Sequence, residues 1–434
     1  MEKAHRRQII KNFSSLIFAQ VIYKLISFFT MIIIARFLGP DNFGIFSYGL
    51  SFVWLFLFIS DFGFTEIFIR DVSRDKYLLK QYVNNIFSLK LIIGSLVLLL
   101  IFFLSLRFSS DISKFWVCLI LGLSVVFDSF VYFFRSIFRV REAMEKEAAL
   151  TVVEAVLKIV AIYFIIKIKI GLQSVILVSL AFLAASTLNL ILNTLSFVSL
   201  YGIFSLTINK RLSAQLLKNS LPFALIYILS LINFRVDILM LSSKIGDRAA
   251  GWFSANYKLL EQFFLIPITL SYVYLPIFSR IAYSGDAMHN LALKTIKILL
   301  PAGIVIPALF YFFGGTIISV IYGEEFIESA KYLYILSFSL LPFFVKPIIE
   351  KVFYAVNRQW VIFSVYLCGA ALNIFLNCIA IPRWGINGAS LSTFLSECIV
   401  IIVSFVIYLR YRKTVGLNYD AELQNNLAMN KFTC

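Results

Sequence analysis

Thirteen ionisable side chains stand inside or at the ends of long apolar runs: Lys24, Asp61, Lys90, Asp128, Glu154, Lys158, Arg235, Asp237, Lys258, Glu261, Lys346, Glu350 and Glu397. At the centre of a bilayer each would cost about 2.5–3.5 kcal/mol, so each is expected to face a bundle interior, an opposite charge or water. Lys24 lies near the middle of run 12–34 with no acidic residue three or four positions away. Arg235 offers a planar fork of donors suited to phosphate or carboxylate. Asp237, two residues on, lies roughly 200° around a helix from it and is expected to meet a neighbouring helix. Lys258 and Glu261, at i,i+3, share one face. Lys24, Arg235 and Lys258 therefore make a candidate anion-attracting set; the alternative is interhelical pairing, Arg235 with Glu261 or Lys24 with Asp237. Glu397, in the middle of its run, is a candidate carrier of a coupling proton. Glu154 with Lys158 and Lys346 with Glu350, each at i,i+4, read equally well as internal neutralisation. Lys90 and Asp128, near run ends, are expected to snorkel toward water.

The elements that hold these groups follow from composition. Of 434 residues, 61% are hydrophobic and 14% charged, and the mean hydropathy is +0.91, whereas soluble domains carry about 25% charged residues. A soluble fold lacks its polar skin here, and disorder is excluded by the abundance of Phe, Ile and Leu. Continuous runs such as LIIGSLVLLLIFFLSL (91–106) exclude the alternating pattern of a membrane β-barrel. An all-α polytopic membrane protein remains. Stretches of about 20 apolar residues predict twelve transmembrane helices: 12–34, 43–62, 84–106, 115–134, 149–168, 174–198, 221–242, 253–276, 295–321, 332–354, 360–381 and 386–409. The first is expected to be retained rather than cleaved as a leader, because Lys24 interrupts it.

Alternate connections carry 24 and 9 of the 39 Lys and Arg residues, which predicts cytoplasmic N and C termini. The net charge of +16 is thus an orientation signal and requires no nucleic acid partner. Cys118, Cys368, Cys378 and Cys398 lie in apolar runs, so no disulfide or zinc spacing follows. The two histidines, His5 and His289, fall in expected cytoplasmic segments. With no P-loop, no metal site and no cofactor motif, an enzyme is not expected; a glycan polymerase or ligase would be expected to carry a large outer loop, and every outer loop here is short.

The chain also resembles itself at a shift of 207. Gly39, Gly44, Phe46 and Ser47 in ARFLGPDNFGIFSYG match Gly246, Gly251, Phe253 and Ser254 in SSKIGDRAAGWFSAN, and Gly171 corresponds loosely to Gly385. Six is even, so both halves start on the same side. This predicts two parallel six-helix repeats, residues 1–205 and 206–434, around a central cavity. Seven of nine prolines (Pro222, Pro267, Pro276, Pro301, Pro307, Pro342 and Pro347) lie inside spans of the second half, which predicts bends in spans eight, nine and ten.

ARFLGPDNFGIFSY (35–48), DFGFTEIFIRDVSRD (61–75), FRVDILMLSSKIGDRAAGWFSANYKLLE (234–261) and IPRWGINGASLST (381–393) resemble polysaccharide-lipid flippases of the O-antigen and capsule type, within the multidrug/oligosaccharidyl-lipid/polysaccharide exporter superfamily. The resemblance implies a V-shaped pair of bundles in the bacterial cytoplasmic (inner) membrane. It implies movement of an undecaprenyl-pyrophosphate-linked oligosaccharide to the outer leaflet, with membrane lipids and other polysaccharide-assembly membrane proteins as partners. The cavity it implies is lined by spans one, two, seven and eight, the spans that carry Lys24, Arg235, Asp237, Lys258 and Glu261. Tyr48, Trp54, Tyr227, Tyr257 and Tyr272 are then candidates to stack on sugar rings, with packing or lipid contact as the alternative. A drug/cation antiporter of the same superfamily would need an acidic cavity instead.

Overall fold

Backbone N–H and C=O groups in hydrocarbon must find partners within their own segment, and continuous apolar runs do so as helices. The computed structural model describes residues 2–431 except 110, 142, 168–173, 203, 282–284 and 357. Side chains are described from 15 to 410, except at those positions and at 200, 222, 223, 226, 227, 230, 276, 285 and 359. Thirteen α-helices follow one another among the described residues. They are α1 (Glu2–Asp61), α2 (Phe64–Arg74), α3 (Leu79–Phe108), α4 (Ile112–Val140), α5 (Met144–Lys167), α6 (Ser174–Tyr201), α7 (Lys210–Lys244), α8 (Asp247–Glu261), α9 (Leu265–Arg280), α10 (Gly285–Tyr322), α11 (Ala330–Ser337), α12 (Leu340–Ala355) and α13 (Gln359–Lys431). Each of the twelve expected stretches falls on one or two of them. Among the described residues, seven helices are long and apolar enough to cross a membrane, or nine if two bent pairs each count as one.

At 1.5 Å per residue, the 60 residues of α1 and the 73 of α13 far exceed a hydrocarbon core of about 30 Å. Both contain a break. In α1, Gly39 takes φ 69° and ψ 171° immediately before Pro40; in α13, Gly385 takes φ 56° and ψ −128°, three residues after Pro382. Positive φ is open to glycine because it lacks a Cβ, and proline removes the bond that would bridge the turn.

The expected bends occur in the eighth and tenth spans, where α8 and α9 meet at 40° and the segment 324–337 meets α12 at 43°. The ninth span differs: α10 runs on through Pro301 and Pro307. The first half also breaks, at Phe62 (φ 53°) and Gly63 (φ 74°) between α1 and α2, without a proline. Pro267 and Pro342 sit in the first turns of α9 and α12, where the amide they lack has no intrahelical acceptor. They start the helix after a bend rather than kinking one. The side chains of Pro222, Pro276 and Tyr227, as well as Gly171 and His5, lie outside the described residues.

The chain divides into two compact units, Met1–Ser254 and Ala255–Cys434. In the first, α1 packs on α4, α5 and α7, and α4 on α3 and α6; in the second, α12 packs on α9, α10 and α13. The connection into α7 is stitched to α3. Asn85 accepts from the Asn209 amide at 2.8 Å and donates to the Ser213 hydroxyl at 3.1 Å. Asn84 accepts from the Ser205 amide, and the Ser88 hydroxyl from the Thr207 amide, both at 3.1 Å. This stitching ties the start of α7 to the helices before it.

Buried charge is paired across helices. Lys90 does not snorkel: it is fully buried and meets Asp61 at 2.7 Å, because an acidic partner is nearer than water. Asp128 faces Lys158 at 3.9 Å. Glu154 takes Lys158 at 2.7 Å as the spacing predicts, and also Arg135 at 2.9 Å and the Tyr23 hydroxyl at 3.2 Å. Arg135, assigned by sequence to a loop, is in fact core. It donates further to the side chains of Asn189, Asn193 and Thr151 and to the Leu150 carbonyl. Lys346 bonds Glu397 at 2.9 Å and not Glu350, whose carboxylate accepts from Tyr366 at 2.6 Å. The pairing runs between helices instead of along one.

Candidate functional site

In the first unit, the packing of α1 on α7 brings Trp54 to Arg235. The guanidinium carbon lies 4.4 Å from the centre of the Trp54 ring, and Arg235 is only 7% exposed. A cation over an aromatic face makes a cation–π contact, and a guanidinium is suited to a bidentate anion through its paired N–H donors. Asp237, on the same helix, is also buried. Lys24 is half-buried on α1, one residue after Tyr23, whose hydroxyl bonds Glu154.

In the second unit, Lys258 and Glu261 on α8 are joined at 2.7 Å, as the i,i+3 spacing predicts. Glu397 is held by both of its oxygens to Lys346, at 2.9 and 3.2 Å, and Lys346 lies 4.4 Å over the Tyr366 ring. A proton on Glu397 would therefore have to displace an ion pair.

Of the aromatic candidates, Trp54 lies against the candidate cation Arg235. Tyr257 is buried, and Tyr48 is packed against Phe52 with Lys114 5.1 Å over its ring. Tyr272 carries Lys351 at 3.9 Å over its ring. Lys114 itself was missed by sequence reasoning, which counted it in an outer loop. It is buried and lies 2.7 Å from Asp247 and 3.0 Å from Ser242. Its position one turn inside a helix start, four residues before Cys118 in an apolar run, was the available signal.

The array of long apolar helices, broken at glycines and carrying buried charge, defines a multi-pass membrane protein. The profile of the family described as "Polysaccharide biosynthesis protein" matches residues 9–282, so the chain belongs to that family. It is 23% identical over 409 residues to the capsular polysaccharide biosynthesis protein CapF of Staphylococcus aureus, covering 93% of this chain and 100% of that one. Its fold is similar to that of the lipid II flippase MurJ in an inward closed conformation (TM-score 0.74, 18% identity, 95% of this chain and 92% of that one). It is also similar to an inward-facing multidrug resistance MATE transporter of the MOP superfamily (TM-score 0.70, 15% identity, 91% and 95%). The resemblance read from the motifs of residues 35–48 and 234–261 is thereby upheld at the level of the family, and the fold is similar to those of the two solved structures.

Proposed function

We propose that this protein is a flippase that carries an undecaprenyl-pyrophosphate-linked oligosaccharide, a capsule, O-antigen or exopolysaccharide repeat unit, from the cytoplasmic to the outer leaflet of a bacterial inner membrane. The observation that carries the reading is Arg235, buried with its guanidinium carbon 4.4 Å from the centre of the Trp54 ring, in a chain of the polysaccharide biosynthesis family. Arg235 and Lys24 attract the pyrophosphate, and Asp237, Lys258 and Glu261 are the further candidates that the sequence offers. Glu397 remains the candidate for ion coupling through exchange with Lys346. CapF is named for capsular polysaccharide biosynthesis and MurJ as a flippase of lipid II; both names fit a lipid-linked saccharide as cargo.

The topology proposed is twelve crossings in two parallel repeats, residues 1–205 and 206–434, with both termini cytoplasmic. Splitting α1 at Gly39 and α13 at Gly385, counting each bent pair as one crossing and adding α7 supports that number. Alternating access needs no bond chemistry, so the protein is read as a transporter and not an enzyme.

The test is glycan export in cells lacking the native gene, complemented with wild-type protein, Arg235→Glu or Lys24→Glu, with membrane abundance measured alongside. Each charge reversal is expected to reduce export about tenfold or more, in line with loss of a charge-assisted contact to phosphate, at unchanged abundance. Normal export by both variants overturns the reading; a loss of drug efflux instead would favour the antiporter.

A further inference from the structure

A charge taken out of water is ordinarily answered by an opposite charge, and five buried or half-buried lysines follow that rule. Lys90, Lys114, Lys158, Lys258 and Lys346 each hold a carboxylate oxygen at 2.7 or 2.9 Å. Lys351 departs from it. Only 8% exposed and one turn before the end of α12, it makes no ion pair and donates no hydrogen bond among the described residues. What meets its ammonium is aromatic: the Tyr272 ring of α9, with its centre 3.9 Å away, and the Tyr354 ring of α12, at 5.0 Å. Ring faces stabilise the charge but bring no oxygen to neutralise it. Glu350, the next residue on α12, lies about 100° around the helix, and its carboxylate accepts from the Tyr366 hydroxyl at 2.6 Å. Glu397 is taken by Lys346. Both acids are engaged elsewhere.

We infer that Lys351, caged by Tyr272 and Tyr354, is a binding site for a lipid-borne phosphate within the second unit, at the end of α12 that the proposed topology places toward the cytoplasm. The packing of α12 on α9 builds the cage. A desolvated ammonium without a counter-charge calls for an anion, and lysine serves phosphate as a compact point charge. One turn inside a helix end is the depth at which a lysine lays its stem on apolar surface and lifts its head to the headgroup level, where the anions are lipid phosphates. The site is open on the Tyr272 side, since that residue is 56% exposed. Neither tyrosine hydroxyl is hydrogen-bonded among the described residues, so the two rings that hold the ammonium also carry two O–H donors for phosphate oxygens.

Two lipids offer that group. One is the pyrophosphate-linked cargo, met as it arrives from the inner leaflet; this source alone rests on the flippase reading above. The other is an anionic phospholipid, held by its headgroup as a standing partner of the second unit. The chemistry at Lys351 is the same for both, and the site is distinct from Arg235, which belongs to the first unit.

The test titrates full-length wild type, Lys351→Gln, Lys351→Arg, Tyr272→Leu and, as a control, Lys297→Gln, which removes the same charge from an exposed position on α10. Undecaprenyl pyrophosphate, phosphatidylglycerol and uncharged undecaprenol are added in neutral detergent, with bound lipids counted by native mass spectrometry and folding followed by the thermal midpoint. Lys351→Gln is expected to weaken one binding event about tenfold for at least one of the two phosphate lipids, while Lys351→Arg and Lys297→Gln retain it and undecaprenol binds all variants alike. A loss for undecaprenyl pyrophosphate identifies the cargo as the ligand and a loss for phosphatidylglycerol the resident lipid; either upholds the site. Equal binding of both phosphate lipids by wild type and Lys351→Gln overturns it, as does an equal loss for undecaprenol. Should Lys351→Gln fail to fold, Tyr272→Leu, which keeps the charge and opens the cage, is expected to weaken the same event several-fold, and unchanged binding overturns the site. If Lys351 binds phosphatidylglycerol while cells carrying the wild-type protein export no glycan, the flippase reading fails and the site stands.

Discussion

Arg135 and Arg235 put the same side chain to opposite uses. Every nitrogen of Arg135 is spent inside the first unit, on Glu154, Thr151, Asn189, Asn193 and the Leu150 carbonyl, which leaves it a structural cation. The guanidinium carbon of Arg235 lies 4.4 Å from the centre of the Trp54 ring, a contact made with the ring's π-cloud. Removing one member of a buried pair strands the other, at about 3–5 kcal/mol. Arg135→Ala and Lys90→Ala are each expected to lower the thermal midpoint of the purified protein. Lys90→Ala with Asp61→Ala is expected to recover most of the second loss, because no stranded charge remains. Trp54→Phe is expected to keep export near wild type and Trp54→Ala to reduce it several-fold at equal abundance. Pairs within one helix, such as Glu154 with Lys158, were legible from spacing. Lys346 with Glu397 was not, since no periodicity links residues 51 apart on separate helical segments. Arg135 and Lys114 were missed because a count of charges between apolar runs treats the turn at either end of a run as loop.

The helices themselves were plain in the apolar runs, and so were the positions of most breaks. What the runs concealed was which proline bends a helix and which begins one. Pro267 and Pro342 begin helices, and α10 absorbs Pro301 and Pro307. The connection into α7 shows the same limit. Ser205, Thr207 and Asn209 look like an ordinary polar linker, yet α3 holds their amides through Asn84, Ser88 and Asn85. Asn85→Ala removes the acceptor of one and a donor of another, at about 1–3 kcal/mol where the freed group stays buried. Faster hydrogen exchange is expected across residues 204–213, with α4 and α6 unchanged. Equal exchange in that segment would show the stitch to be incidental.

Over the whole molecule, an unequal division of 24 and 9 basic residues argues for cytoplasmic termini. A phosphatase that is active only outside the cell, fused after Cys434, is expected to be silent, and the same enzyme inserted after Asp111 to be active. The reverse pattern would invert the proposed topology. The division into units at Ser254, rather than at the proposed repeat boundary after residue 205, reflects the stitching of α7 to α3, which ties later sequence to the first helices.

The sequence separations of the ion pairs also imply an order of assembly as the chain is made. Lys90 meets Asp61, made 29 residues earlier, and Arg135 meets Glu154 19 residues later, so each can enter the bilayer within a hairpin that already holds its counter-charge. Lys114 must wait 128 residues for Ser242 and a little longer for Asp247. At about 5–20 residues per second that is roughly 6–26 s of synthesis. During that interval its ammonium has no partner from α7 or α8 and is held near the aqueous interface, which makes docking of α7 and α8 onto the nascent first helices the late, committing event of biogenesis.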